Sequence, residues 1–188
     1  MRHRRFWNAL TFVAALTLLL SGMTTSDAQA ATVFHARLTG AQEVPPNDSP
    51  ARGFGIFTLS TDESELSFDI TYSGLIGGPL VGAHFHAGPA GVNAPVVRGL
   101  PIDTAGSPDG SFSGVWTAVD AMPLTPELVG DLRAGNIYFN IHTSDGDPPD
   151  FPGGEIRNQL TQVPEPSAIL LLGSGLAGLG LLLRSRRA

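Results

Sequence analysis

The stretch Glu65-Leu66-Ser67-Phe68-Asp69-Ile70 alternates strictly between polar and apolar residues. Successive side chains of a β-strand point to opposite faces, so this pattern predicts a strand with one face in the core and the other in water. Residues 34–38 repeat the alternation, with apolar residues at the even positions. Strands with one solvated face are typical of antiparallel sheets.

Glycine and proline interrupt the rest of the chain, and no long segment keeps a helical period. Short strands separated by turn residues indicate an all-β antiparallel sandwich or barrel of 7–8 strands. A short helix is predicted at 126–134, because Thr125 can cap it, Pro126 suits its first position and Gly135 follows its last turn. The predicted strands are 32–38, 52–60, 65–72, 80–87, 95–100, 111–119, 136–143 and 154–162.

The first 30 residues have the three parts of a secretory signal peptide. Met1 to Arg5 carries three arginines, residues 6–20 are almost uncharged and apolar, and Ala28-Gln29-Ala30 has small residues where signal peptidase reads them. We therefore predict a signal peptide at 1–30, cleaved after Ala30. The alternative is a membrane anchor, but the run is about 15 residues where a spanning helix needs about 20.

The C-terminal end also has three parts: Val163-Pro164-Glu165-Pro166, an apolar stretch at 168–183, and an arginine cluster at 184–187. Together they resemble the PEP-CTERM sorting signal of Gram-negative bacteria. The resemblance implies a sorting tail at 163–188 whose hydrophobic helix, 168–183, crosses the inner membrane transiently. It also implies that an exosortase reads Pro164, Glu165 and Pro166, and that the protein reaches the cell surface or extracellular matrix. A plain membrane anchor is the alternative.

The body between these ends is strongly acidic. The whole chain has 11 basic and 17 acidic residues, a net charge of −6, but six of its arginines lie in the two ends. Residues 31–163 keep five arginines against 15 acidic residues, a net charge of −10. This balance argues against nucleic acid as a partner, because binding to phosphates needs a basic surface.

Three blocks of the body carry a further pattern: residues 34–46, residues 83–91, and residues 138–143 followed by 153–160. In this order they resemble the CHRD domain, a module that is repeated in the animal protein chordin and occurs singly in secreted bacterial proteins. The resemblance implies an all-β, immunoglobulin-like domain at 31–162. It implies no established reaction.

Three histidines form the candidate site. A strand sends His84 and His86 to one face, opposite Phe85, and the strand at 136–143 places His142 on its outward face with Tyr138 and Asn140. If the two strands pair, three imidazoles converge on one polar face. Such a set is suited to copper or zinc, since imidazole binds both and three ligands leave one coordination position open.

The alternative role for these histidines is structural. A neutral imidazole offers one donor and one acceptor, so the rings could hydrogen-bond across the sheet or hold loops, with Asn140 and Thr143 as partners. Two nearby acidic features also favour structural roles. The carboxylates of the acidic loop at 145–155 could hold calcium, but its prolines break the spacing of a calcium-binding loop, which favours a solvated turn. Glu155 and Arg157 share a strand face and are predicted to form a lateral ion pair.

Motifs of catalysis are missing from the sequence. The chain has no cysteine, no serine in a Gly-x-Ser-x-Gly motif and no phosphate-binding glycine loop. We therefore predict a secreted binding or matrix module rather than an enzyme, with signal peptidase and exosortase as partners during export. Its extracellular partner is expected to be a protein or a polysaccharide. The alternative is a periplasmic or extracellular copper- or zinc-binding protein that uses His84, His86 and His142.

Overall fold

The computed structural model describes residues 30–102 and 107–164. Eight strands form the main sheet, a ninth short strand is added to it, and a 3₁₀ turn at Gly40–Gln42 and one α-helix complete the fold. In chain order the elements are β1 (Thr32–Thr39), β2 (Arg52–Leu59), β3 (Glu65–Ser73), β4 (Leu80–Ala87), β5 (Val96–Gly99), β6 (Gly110–Thr117), α1 (Pro126–Arg133), β7 (Ile137–Thr143), β8 (Phe151–Gln159) and β9 (Thr161–Gln162).

All paired strands run antiparallel in one curled sheet with the order β5-β4-β7-β8-β1-β2-β3-β6, and β9 pairs with β1. This architecture confirms the predicted all-β class and the single short helix. Seven of the eight main strands begin and end within two residues of the prediction. The eighth begins earlier, at Phe151, and ends at Gln159, where the chain leaves β7 and continues as β9 along the same edge of β1 that β8 pairs with.

The curl brings the inner faces of the two halves of the sheet together around an aromatic cluster. Phe85 of β4 makes edge or tilted contacts with Phe57, Phe68, Trp116 and Phe139, with ring centroids 4.9–5.8 Å apart. These side chains are almost fully buried. Aromatic pairs in such geometry add to the free energy gained from burial of their area. The alternation seen in the sequence thus supplies the core.

Helix α1 begins where its capping residues predict. The Thr125 side chain accepts a hydrogen bond from the Leu128 N–H at 3.3 Å, and Pro126 occupies the first helical position. Val129 and Leu132 bury the apolar side of the helix against the sheet core.

The open edges of the half-barrel, β5 and β6, are linked by Arg98. Its guanidinium forms an ion pair with Asp120 at 2.7 Å, donates to the Val115 carbonyl at 3.3 Å and lies 5.9 Å from the Trp116 ring centre. A side chain therefore spans the gap that the backbone leaves unpaired.

Candidate functional site

The strands that carry the histidines are neighbours. In the β4–β7 pair, His84 lies opposite Asn140, His86 opposite Tyr138 and Gly82 opposite His142. The pairing that the prediction assumed is therefore present. Phe85 and the apolar residues of β7 point into the core, which leaves the three histidines together on the outer face.

The three imidazoles are within reach of one another. Each offers a ligand nitrogen, and these nitrogens all lie within 4.8 Å of each other. The ring centroids are 5.0 Å apart for His84 and His142, 5.7 Å for His84 and His86, and 6.4 Å for His86 and His142. His86 is buried, and the other two are half-buried.

Backbone carbonyls hold two of the rings. His86 Nδ1 lies 2.8 Å from the Ala94 carbonyl oxygen, and His142 Nδ1 lies 2.9 Å from the Pro152 carbonyl oxygen. A carbonyl only accepts, so each Nδ1 must carry the proton, and the neutral ring then has a lone pair at Nε2. The structural role predicted for the histidines is thus present for these two, although their partners are mainly loop carbonyls.

Asn140 is the second partner of His86. Its amide Oδ1 is 3.0 Å from His86 Nε2, but a neutral ring that donates from Nδ1 has no proton left for this oxygen. A half-turn of the amide places its NH2 group there instead, because amide oxygen and nitrogen are interchangeable by that rotation. Thr143, the other predicted partner, bonds Glu155 instead of a histidine.

Two ring nitrogens in the cluster are buried without a partner. Within the described ranges, neither His142 Nε2 nor His84 Nδ1 makes a hydrogen bond. Burial lowers the pKa of all three imidazoles. For His84, burial together with the neighbouring His142 and His86 lowers the pKa to about 4. The rings are therefore neutral at pH 7 and keep lone pairs that can bind a metal ion.

A loop between β4 and β5 covers part of this outer face, which the sequence did not reveal. Tyr138 and Asn140 were predicted to face solvent, yet they are 1% and 3% exposed. Tyr138 stacks on His86 with ring centroids 4.6 Å apart, and its hydroxyl accepts from the Ala94 N–H at 3.1 Å. The strand alternation was right, but the expected solvent exposure was wrong, because the loop supplies a second layer.

The predicted ion pair between Glu155 and Arg157 is absent from the described residues, although the two do share a face. Arg157 lies 3.9 Å from the Tyr138 ring centre and donates to Asn93 Oδ1 and the Val92 carbonyl at 2.9 and 3.1 Å. It fastens the covering loop.

Glu155 is fully buried and holds other segments. It accepts from Ser49 Oγ at 2.6 Å, from Thr143 Oγ1, and from the N–H groups of Ile76 and Gly77 at 2.8 and 3.2 Å. It is therefore committed to backbone and hydroxyl donors instead of a calcium ion.

Glu43 is a buried carboxyl that the sequence did not single out. It is 3% exposed and lies against Gly154, where an added Cβ would be 2.5 Å from its Oε1. Gly154 also has φ +129°, so a side chain there would be strained and would displace the Glu43 carboxyl group. Burial raises the pKa of Glu43 to about 7, against the opposing charge of Arg157.

The outer face of β1, β2 and β3 is uncovered and has a groove of about 440 Å³. Phe54 projects there, 39% exposed, with the Arg37 guanidinium carbon 5.5 Å from its ring centre. Arg52 is oriented by the carbonyls of Pro50 and Ala51, at 2.9 and 2.7 Å from its Nη1. Two of the five arginines of the acidic body therefore lie in one groove, with residues Thr71, Tyr72 and Ser73 on its far side.

The family is decided by the body of the chain. The model of the CHRD domain family matches residues 34–160. The chain belongs to the CHRD family. The match spans all three blocks noted in the sequence and every main strand of the sheet except the first two residues of β1. Neither the curated proteins nor the solved structures include one that matches this CHRD chain.

A second family model, the PEP-CTERM protein-sorting motif, matches residues 162–187. The chain is therefore a CHRD protein that carries a sorting signal for export across the membrane and processing by an exosortase. Residues 1–29 of the predicted signal peptide, Glu165, Pro166 and the predicted hydrophobic helix at 168–183 lie outside the described residues, which include Ala30 and Pro164. Across the described ranges, every helix is too short or too polar to cross a bilayer.

Proposed function

We propose that the exported CHRD domain is a binding module of the cell surface or extracellular matrix, and that its ligand is a polysaccharide that carries carboxylates. The observation that supports the proposal is the groove of Arg37, Arg52 and Phe54 on the bare outer face. In this reading the domain acts by binding and catalyses no reaction.

The groove has the chemistry that sugar acids need. An exposed aromatic ring offers an apolar platform, and Phe54 has one face already neighboured by a guanidinium. Arginine is suited to carboxylates because its planar fork matches both oxygens. Arg52 is held by backbone carbonyls on one side, so less side-chain entropy is lost when it meets a ligand.

The net charge of −10 does not prevent such binding. At physiological ionic strength, exposed charges are largely screened beyond about 8 Å. The acidic residues elsewhere on the domain therefore repel a polyanion weakly, whereas the two arginines would contact it directly.

The test is affinity electrophoresis of the protein in gels that contain polyuronate, with neutral dextran as the comparison. We expect polyuronate to slow the native protein, and Phe54→Ser and Arg37→Gln to remove most of that effect. Ile56→Ser is the matched control, since Ile56 is an exposed apolar residue of the same strand face outside the groove.

Unchanged mobility of the native protein in polyuronate would refute the proposed ligand. Equal retardation of the native protein and the Phe54 and Arg37 variants would refute the groove as its site. If dextran slowed the protein as much as polyuronate does, the domain would not recognise its ligand through carboxylates.

A further inference from the structure

The histidine cluster of β4 and β7 contains two buried ring nitrogens that the fold does not use. Buried polar atoms in proteins almost always have a hydrogen-bond partner, so two orphans in one cluster need an explanation. In the part of the chain that is described, His142 Nε2 and His84 Nδ1 have none. His142 Nε2 is an acceptor because its Nδ1 donates to the Pro152 carbonyl, and His84 Nδ1 is an acceptor in the tautomer that carries the ring proton on Nε2. A pair of such acceptors is what a cation binds.

The spacing of the three rings fits a single ion. Imidazoles bound to one ion at about 2.0–2.1 Å have ring centroids roughly 5.2–5.5 Å apart in tetrahedral or trigonal arrangement. Two of the observed separations, 5.0 and 5.7 Å, lie near that range, whereas the third, 6.4 Å between His86 and His142, is longer and must shorten when the ion binds. The ligand nitrogens, now within 4.8 Å of one another, would need to approach to about 3.3 Å, so the rings must reorient when the ion binds.

The surroundings of the cluster orient two of its lone pairs. Histidine ligands commonly donate their second N–H to a backbone carbonyl, which fixes the tautomer. The Ala94 and Pro152 carbonyls do this for His86 and His142. His86 Nε2 must exchange the Asn140 amide for the ion, so Asn140 competes with binding.

We propose that His84, His86 and His142 bind one copper or zinc ion in the exported protein, with one coordination position open to solvent. The donor set decides the class of ion. Imidazole nitrogen suits copper and zinc, whereas calcium and magnesium prefer oxygen ligands. No cysteine is present in the chain to provide a softer site. His84 and His142 are only partly buried, on the outer face of the sheet, so an ion reaches them from outside without opening the core.

This metal site is separate from the proposed polysaccharide groove. The histidines lie on β4 and β7, whereas the groove lies on β1, β2 and β3. A protein that binds polyuronate but no metal would show that only the metal proposal fails. A protein that binds metal but no polyuronate would show that only the polysaccharide proposal fails.

The test is calorimetric titration of the full chain in detergent, stripped of metal with a chelator, with Zn²⁺ and, separately, with Cu²⁺. All proteins carry His3→Ala, because an N-terminal amine followed by a histidine at position 3 can itself bind copper. We expect one ion per chain with micromolar or tighter affinity. His84→Ala and His142→Ala should each weaken binding at least about tenfold, since even loss of an outer partner costs 10–100-fold.

Two further variants keep the test decisive. His35→Ala is the matched control: it removes an imidazole from β1 on the same outer face, outside the cluster, and should leave binding unchanged. Asn140→Ala removes the competitor of the ion at His86 and should bind at least as tightly as the native protein. If His142→Ala does not fold, His84→Ala carries the test, because its Nδ1 has no partner to lose.

Absence of binding of either ion at micromolar concentration by the folded native protein would overturn the proposal. Binding that is equal in the native protein and both cluster variants would also overturn it, because the ion would then be held elsewhere. A one-to-one stoichiometry that is lost in the cluster variants and kept in His35→Ala would support it.

Discussion

Replacement of the buried Glu43 by glutamine should change how stability depends on pH. The pKa of Glu43 is raised from 4.5 to about 7 in the folded protein, chiefly because burial penalises the charged form. Between pH 4.5 and about pH 7, the Glu43 carboxyl group therefore stays protonated in the folded state but loses its proton in the unfolded state. The resulting stabilisation is complete below the unfolded pKa and is lost as the pH rises through about 7.

The magnitude follows from the two pKa values. A shift of about 2.5 units corresponds to roughly 3 kcal/mol, of which about 2.5 kcal/mol falls between pH 5 and pH 8. Glu43→Gln cannot titrate, so the difference in free energy of unfolding between native protein and variant should change by that amount over this range. The buried amide contributes an offset that does not depend on pH.

The comparison with the variant is essential because His84 acts in the opposite direction. Its pKa is lowered from 6.5 to about 4 by burial and by the neighbouring imidazoles. The unfolded state thus binds a proton first as the pH falls, and stability decreases from about pH 6.5 toward pH 4. In the native protein the pH-dependent contributions of Glu43 and His84 to the free energy of unfolding partly cancel. The variant Glu43→Gln keeps His84, so the contribution of His84 is removed when the two free energies are subtracted.

The assay is urea unfolding followed by circular dichroism at pH 5, 6, 7 and 8 in the presence of a chelator. Glu63→Gln is the matched control, since Glu63 is exposed and paired with Arg133 at the surface. Its difference from the native protein should stay nearly constant. A difference for Glu43→Gln that also varied by less than about 0.5 kcal/mol would refute the reasoning, because a buried carboxyl of raised pKa must give the larger slope.

Three other predictions concern the core, the buried carboxylate and the tail. Glu155→Gln should lower the free energy of unfolding by about 3 kcal/mol, since a charged acceptor for four donors is lost. Urea unfolding measures this loss, and a loss below about 1 kcal/mol would contradict the role of Glu155 as the acceptor that holds these segments. Phe85→Ala should cost about 3–5 kcal/mol in the same assay and Phe85→Leu clearly less, because the aromatic cluster is left with a smaller cavity. Replacement of the Pro-Glu-Pro triplet at 164–166 by alanines should leave the protein in the inner membrane; normal amounts at the cell surface after fractionation would exclude sorting through this motif.

The sequence predicted what depends on neighbouring residues. Alternation at 65–70 identified β3 because a strand with one solvated face needs that pattern, and the cap at Thr125 identified α1 because its hydroxyl serves a donor three residues away. The same alternation correctly placed the histidines on the outer face of β4 and β7. Their approach to one another then followed from a single pairing of strands.

The sequence did not predict what distant segments add to a face. Tyr138 is outward by alternation but buried, because the loop after β4 returns over it and is held there by Arg157. Glu43 is buried because Gly154, more than a hundred residues later, leaves room for its carboxyl group. Strand period gives the direction of a side chain. It contains no information about which loop will cover the face to which that side chain points.

The unequal cover of the outer face explains why the two proposed sites differ in kind. Over β4, β7 and β8 the loops bury polar groups such as Tyr138, Asn140 and Arg157, and a buried polar layer has strongly directed donors and acceptors. Only a small ligand can enter such a layer, and an ion held by the histidines needs no more room. Over β1, β2 and β3 the face is bare, so a ligand larger than the groove can continue past its ends. Size therefore excludes a polymer from the covered half, and the three imidazoles assign the ion to that half.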